Sequence, residues 1–405
     1  MIFLSQQIKD IAKKGAAVAT KKIRSLFLLT LAFIAIILVR LLRPVILFRF
    51  APLDSDRIGN FAVITELYLC ERDLGVYGKR VVDIFYNRSS ISNEQLRIMW
   101  ARILRIHSFS RFLDRVNSFI PGGEKHSFEI GRGQLKDFYQ IGVYNKPHLK
   151  FSNKEEICGK DYLYKLGLPE KAAFVCFHVR DSSYLDTVYP NKDWSYHNCQ
   201  DCNVENFTPA IEELTKRGLF ALRMGSVVKK ALKSSNPRVI DYASNGRDDF
   251  LDIYLSAKCR FFLATASGLS SLPIIFRRPV AWSNFLPLDD IYTWAKDHLF
   301  IFKKLWLRKE QRFMTFQEMI DTGAGRFART EEFEKAGIDV VENTPLELTS
   351  LVIEMDDKIR GNWKPSKEDG DLQKHFWSII RPNLSFNNIN IRAGAEFLRG
   401  NKELF

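Results

Sequence analysis

The sequence predicts an α/β protein built of two doubly wound, Rossmann-type halves facing each other across a cleft, with a membrane helix in front of them. Three observations carry this. Short apolar runs of strand character alternate with helical periods in both halves of the chain, the pattern of a parallel sheet with crossover helices. Polar punctuation at Leu166 to Lys171 separates the two series. An uncharged run, Leu26 to Val39 (LFLLTLAFIAIILV), stands near the N-terminus. The 405 residues are enough for two core-bearing domains, and 46% hydrophobic with 26% charged residues excludes a disordered, collagen-like or low-complexity chain. The division expected is an anchor over 1–43, a first α/β domain over 44–168, a second over 169–300, and a C-terminal extension over 301–405 whose helices pack back on the body.

The anchor explains the charge. The net charge is +13, but residues 1–50 hold nine basic residues and one acid, Asp10, so that segment alone carries +8 and the rest of the chain +5. The body is therefore not a strongly basic surface, and without aromatic-basic interleaving a nucleic-acid partner is excluded. The apolar run is short for a span of about 20 residues. Basic residues stand on both sides of it, Arg40, Arg43 and Arg49 following directly. Both flanks then favour the cytoplasm, and residues 2–24 have the apolar spacing of a basic amphipathic helix. The expectation is a monotopic anchor in the inner membrane with the body on its cytoplasmic face. A type II anchor with a lumenal body, which the sequons at Asn87, Asn206 and Asn383 permit, is the competing topology.

The first half reads as strand Val45 to Phe50, helix Asn60 to Leu74, strand Arg80 to Tyr86, and a helix from Asn93 to Ile106 opened by a capping box at Ser92 and Gln95. Loops follow around Pro121-Gly122-Gly123 and Gly131 to Gly133. The second half reads as strand Ala172 to Val179, helix Val204 to Lys216, strand Leu219 to Met224, a short strand Arg238 to Tyr242, helix Asp248 to Lys258, strand Arg260 to Ala264, helix Gly268 to Phe276 and a last strand, Pro279 to Trp282. Pro345 to Arg360 is an amphipathic helix with Pro in its first turn. Six cysteines are no disulfide framework, Cys199-x-x-Cys202 lacks the second pair of a zinc site, and Asp54-x-Asp56 sits beside Arg57. No metal and no cofactor are expected.

In doubly wound sheets ligands bind beyond the carboxyl ends of the strands. His178 and Arg180 close one strand and, two residues apart, face the same side. Arg223, before Gly225, closes another. Two arginines converging there suit a pyrophosphate. Thr265-Ala-Ser267-Gly268-Leu-Ser270-Ser271 joins a strand to a helix and offers hydroxyls and backbone N–H groups to an anion. Asp252 precedes it, placed to accept from a base or sugar. In the first half, Gly59 allows close backbone approach, with Arg57 and Asn60 beside it to reach across the cleft. Together these features point to a nucleotide site.

The segments RIGNFAVITELYL (57–69), FVCFHVRDSSYL (174–185), LRMG (222–225), DDFLDIYLSAKCRFFLATASGLSSLPIIFRRPVAW (248–282) and IDVVENTPLELTSLVIEMDDKIRGNW (338–363) resemble a family of bacterial glycosyltransferases from surface-polysaccharide (lipopolysaccharide and capsule) gene clusters. The resemblance covers about residues 45–380. That family is similar to the fucosyltransferase superfamily of GT-B fold. The resemblance implies a metal-independent transfer of a glycosyl group from a GDP- or UDP-linked donor to a hydroxyl of a glycan or lipid-linked glycan. It also implies that Arg180 binds the donor β-phosphate and His178 orients that site. Ser267, Ser270 and Asp252 would line the nucleotide pocket, and Asn60 would lie near the acceptor. The segment YHNCQDCNVENF departs from the family pattern, which bears on specificity. In such an enzyme Arg180, Arg223 and the helix start at Gly268 meet the leaving-group charge. Asp181 and Glu66 are the candidate bases, and the fucosyltransferase analogy also allows a mechanism without a strong base. The alternatives are a heptosyltransferase- or epimerase-like nucleotide-sugar enzyme, or an inactive membrane-tethered scaffold.

Overall fold

The computed structural model describes residues 16–88, 90–130, 146–188, 190–384 and 389–405. The amphipathic helix expected over 2–24 lies mostly outside them, and so does the loop Gly131 to Gly133. In chain order the first half consists of α1 (Ala16–Leu41), β1 (Leu47–Leu53), α2 (Ile58–Asp73), β2 (Val81–Asn87), α3 (Glu94–Ala101), α4 (Ser110–Asn117) and α5 (Asn153–Lys165). The cap of α3 is Asn93, which accepts from the Leu96 N–H at 2.8 Å, one residue later than the capping box expected at Ser92. β1 and β2 pair in parallel over their whole length, with single parallel bridges at Ser127 and Ile106 on the outer edges.

The second half carries β3 (Phe174–His178), α6 (Thr208–Lys216), β4 (Phe220–Arg223), β5 (Val239–Ile240), α7 (Asp249–Lys258), β6 (Phe262–Ala264), α8 (Ser271–Ile275), β7 (Val280–Phe285) and β8 (Leu299–Phe302). Then come β9 (Lys304–Leu307), β10 (Arg312–Phe313), α9 (Thr330–Lys335), β11 (Ile338–Val341), α10 (Pro345–Arg360), α11 (Lys367–Ile380), β12 (Arg392–Ala393) and α12 (Ala395–Gly400). The main sheet has the order β12-β8-β7-β6-β3-β4-β5, and every neighbouring pair in it is parallel. Phe174 to Phe177 are all buried, as a strand covered on both faces requires. β9, β10 and β11 form a small antiparallel sheet.

One expectation needs correction. Pro279 to Trp282 is not the last strand: β8 and β12 extend the same sheet beyond it. Residues 301–405 supply β12, an edge strand of the sheet, and α10, which packs on α6. Beside the cleft the two halves also share packing. Phe61 and Leu69 of α2 and Trp100 of α3 share one apolar cluster with Ile253 of α7 and Leu272 and Ile275 of α8. Asn93 adds a hydrogen bond to the Asp249 carbonyl at 2.9 Å.

α1 is long and apolar enough to cross a membrane over Lys22–Leu41, with mean hydropathy 2.2. One stripe of it, Leu29, Ala32, Ile36 and Val39, packs on Leu113 and Val116 of α4. Phe27, Phe33, Ile34, Leu38 and Leu41 are exposed on the rest of its surface, and Leu42, Val45 and Phe119 are exposed on nearby segments. Two of the three arginines following the run are used inside the protein. Arg40 donates to Asn117 Oδ1 at 2.7 Å and to the carbonyls of Ile120 and Pro121 at 3.0 and 2.8 Å, closing the C-terminal end of α4. Arg49 makes a bidentate pair with Asp83 at 2.8 and 2.9 Å and lies against the Phe128 ring.

Candidate active site at the sheet switch point

From β3 the chain winds outward to β4 and β5, then returns to β6 on the other side of β3 and winds outward to β7 and β8. The reversal between β3 and β6 opens a crevice beyond their carboxyl ends. His178 ends β3 in register with Ala264, which ends β6. Its Nδ1 lies 3.2 Å from Ser267 Oγ. Burial pushes the His178 imidazole down to about 4 against the opposing charge of Asp181, with Arg180 and Arg223 adding to the depression, so the ring is neutral at pH 7. Val179 is buried while His178 and Arg180 are half-buried, the alternation the strand period requires. The Arg180 N–H donates to Thr265 Oγ1 at 2.9 Å; its guanidinium donates to Gln200 Oε1 at 2.7 Å and lies 3.5 Å from Asp201.

The helical turn that opens at Gly268 leads into α8, and it meets the start of α2 from the first half. A Cβ on Gly59 would stand 2.8 Å from Gly268 Cα, closer than any side chain tolerates, and one on Gly268 would stand 3.2 Å from Gly59 N. Two helix N-termini, with their unpaired N–H groups, thus converge at the crevice. Asn60 is half-buried in the first turn of α2 and Arg57 is exposed just before it. Ser270 is buried and donates to the Ser267 carbonyl, and Ser271 begins α8. Gly225, at φ +153°, leaves room for Val228 and Ala243, which a Cβ there would meet at 3.0 and 3.5 Å.

Four expected site residues are engaged elsewhere. Arg223 is 1% exposed, donates to the Lys230 carbonyl at 2.5 Å and lies 3.7 Å from Asp241. It pins the 226–233 loop from below and offers nothing to the crevice surface. Asp252 is 2% exposed and accepts from Tyr242 at 3.0 Å and Arg247 at 2.6 Å. Burial raises it to about 6 in spite of Arg247, and it buttresses the 242–248 segment. Asp181 accepts the backbone N–H groups of Ser183 and Lys229, both at 3.0 Å, so both oxygens are spent on loop geometry. Glu66 is fully buried in the junction of the halves, accepting from Arg277 at 2.6 Å and paired with His148 at 2.9 Å. Neither carboxylate stands free as a base. Glu66, Cys70 and His148 offer three ligand atoms within 4.8 Å of one another, but the Arg277 guanidinium already occupies the group, 2.6 Å from the carboxylate and 3.6 Å from Cys70 Sγ. Asp54 and Asp56 are held by Arg88 at 2.7 and 3.8 Å.

The residues that sequence reasoning missed lie in the divergent segment after His178 and Arg180. Gln200 and Asp201 hold Arg180, and Lys303 fixes the carbonyls of Cys199 and Asp201 at 3.0 and 2.6 Å. Thr330 bridges the same loop, its Oγ1 accepting from the Cys199 N–H at 3.1 Å and donating to the Ser195 carbonyl at 3.0 Å. The clustering of Trp194, Tyr196 and His197 within four residues was the available signal.

No family model matches the chain, and no curated protein does. Among solved structures it is similar to a glycosyl transferase of family 9 from Veillonella parvula DSM 2008, with TM-score 0.46 and 10% identity over 78% of this chain and 97% of that one. It is similar to the iron-containing dodecameric heptosyltransferase TibC in complex with ADP-D-β-D-heptose, with TM-score 0.40 and 10% identity over 78% of each chain. It is also similar to the E. coli ADP-heptose lipopolysaccharide heptosyltransferase II, with TM-score 0.34 and 11% identity over 58% of this chain and 84% of that one. These are heptosyltransferases and a family 9 enzyme, not fucosyltransferases, and at such overlap the likeness reaches no individual residue of the site.

Proposed function

We propose that the chain is a membrane-associated, metal-independent glycosyltransferase of GT-B type that moves a sugar from a nucleotide-sugar donor to a hydroxyl of a surface glycan or lipid-linked glycan. The observation that carries the reading is the close approach of two helix starts, at Gly59 and Gly268, at the switch point of a parallel sheet whose strand β3 ends beside Arg180. Positive charge and backbone N–H groups gathered there suit the diphosphate of a leaving nucleotide, on which charge builds as the glycosidic bond breaks. Neutral His178 holds Ser267 in place beside it, and Asn60 lies on the acceptor side. The carboxylates near the crevice are engaged in structure, which favours departure of the nucleotide as the driving step over strong base catalysis. Thermal stabilisation by GDP, UDP or ADP, followed by nucleotide release from the matching sugar donors, tests the proposal. A protein that no nucleoside diphosphate stabilises sinks it.

We propose in addition a monotopic seat on the cytoplasmic face of the inner membrane, and the packing of α1 supports its monotopic part. A helix crossing the bilayer along Leu29 to Val39 would take α4 with it, and α4 carries the exposed Arg111 and Arg115. Each arginine in the hydrocarbon centre costs about 2.5–3.5 kcal/mol on insertion scales. Lying in the interface instead buries Phe27, Ile34, Leu38 and Leu41 in lipid and leaves α4 in water. Protease protection on oriented vesicles checks this, and a body protected on the non-cytoplasmic side overturns it.

A further inference from the structure

The mouth of the crevice gathers cations from segments far apart in the chain. Arg57 comes from the loop before α2, two residues from the Gly59 that abuts Gly268; Arg180 comes from the end of β3 and donates to Gln200 on the loop that bears Tyr196 and His197; Arg329 comes from the residue before α9. The Arg329 guanidinium lies 4.5 Å from the centre of the Tyr196 ring, and that ring lies 4.0 Å from the ring of His197. His197 feels all three arginines: burial lowers its affinity for a proton, and Arg180, Arg329 and Arg57 lower it further, in that order, against Glu331. Its Nδ1 is buried and has no hydrogen-bond partner among the described residues. The carboxylates nearby are already engaged. Asp201 stands 3.5 Å from Arg180 and Glu331 stands 3.7 Å from Arg329. Asp181 is held by two backbone N–H groups. Arg57 is exposed and has no carboxylate partner among the described residues. Thr330 and Lys303 hold the loop bearing Tyr196 and His197, so this arrangement is built into the fold.

Like charges are costly to hold together without a counter-ion. We propose that Arg57, His197 and Arg329 form, with Arg180, a phosphate-binding site at the mouth of the crevice, in which Arg329 and His197 are binding residues supplied by the divergent loop and the C-terminal region. The phosphate belongs either to the donor's diphosphate or to a phosphorylated acceptor. The site rests on the glycosyltransferase reading only for the identity of that carrier.

The test uses the full chain and inorganic phosphate and pyrophosphate as probes, with affinities from calorimetry at low salt. Arg329→Gln and Arg57→Gln should each weaken pyrophosphate binding roughly tenfold, as expected for loss of one charge-assisted contact. Arg329→Lys should recover part of it, and the surface variant Arg312→Gln should change nothing. Competition by saturating nucleoside diphosphate assigns the site to the donor, whereas phosphate binding that persists beside the nucleotide assigns it to the acceptor. Wild-type affinity in both Arg329→Gln and Arg57→Gln, or no binding of either probe to the wild type, overturns the proposal. These outcomes separate the two readings. Nucleotide binding and turnover indifferent to Arg329 and Arg57 removes this site and leaves the transferase. Phosphate binding that depends on Arg329 without any nucleotide binding removes the transferase and leaves the site.

Discussion

The floor and the mouth of the junction between the halves are built on opposite principles. On the floor, the buried Glu66 carboxylate has Arg277 at 2.6 Å and His148 at hydrogen-bond distance, in the junction where Phe61 and Leu69 of α2 pack on Leu272 and Ile275 of α8. At the mouth, Arg180 and Arg329 have carboxylates only at 3.5 and 3.7 Å, and Arg57 has no carboxylate partner among the described residues. The floor carries its own counter-charge and so contributes to holding the halves together. The mouth does not, and an unsatisfied, partly exposed set of like charges is the arrangement that an incoming anion completes. Proximity to the crevice does not by itself make a residue functional, because Glu66 and Arg223 are as near in sequence to the site motifs as Asn60 and Arg180 are.

The comparison can be broken most directly by Arg180→Ala. Transfer should fall by about 10²–10³-fold or more, the scale of removing a donor that stabilises developing charge, with the melting temperature kept. Turnover like the wild type, measured as nucleotide release, would move the site elsewhere. Arg277→Met should act in the reverse sense. Glu66 is left buried and uncompensated, at a cost of about 3–5 kcal/mol read by urea unfolding, while the soluble fraction still binds nucleotide. Gly59→Ala sits on the boundary of the two regions. Its Cβ would force Gly268 away, so stability should drop by about 1–3 kcal/mol and turnover should drop with it. If only one of the two quantities moves, mouth and floor are mechanically independent.

The smallest effect concerns pH. His178 is held near 4 when folded against an unfolded value near 6.5. The unfolded chain therefore takes up the proton first, and the stability that neutral His178 confers is full above about 6.5 and is lost as pH falls towards 4. In His178→Gln the melting temperature should decline less over that window than in the wild type. Equal slopes would mean that the imidazole is not buried neutral.

The strands and their order of appearance were legible because buried parallel strands write themselves as short apolar runs: VILFRF, VVDIFY, FVCFH and RFFLA are the sheets' own residues. The strands β8 and β12 were not, since their residues join the sheet only through long-range pairing that local pattern does not encode. Gly59 was legible as a position of close approach, but nothing in its surroundings named Gly268 as the partner. Strand parity put Arg223 at a strand end without saying that the 226–233 loop folds over it. The helical period around Glu66 likewise gave no sign that Arg277, 211 residues away, would cover it. The divergent loop was noticed as a departure; its coupling to Arg329 needed the fold.

On the transferase reading, the peg made by Arg40 into the end of α4 has a consequence for what the crevice can reach. A transferase tethered by a slack linker sweeps a volume, and its product distribution reflects that sweep. Here α1 is packed on and bonded to α4, so on the reading above, with α1 in the lipid interface, the crevice rides at a constant height over the bilayer, like a reading head over its track. The free end of a lipid-linked glycan recedes from the lipid with each sugar added. A head at fixed height meets that end at one stage of growth and misses it before and after, so the protein would select the position of its sugar in the chain partly by altitude.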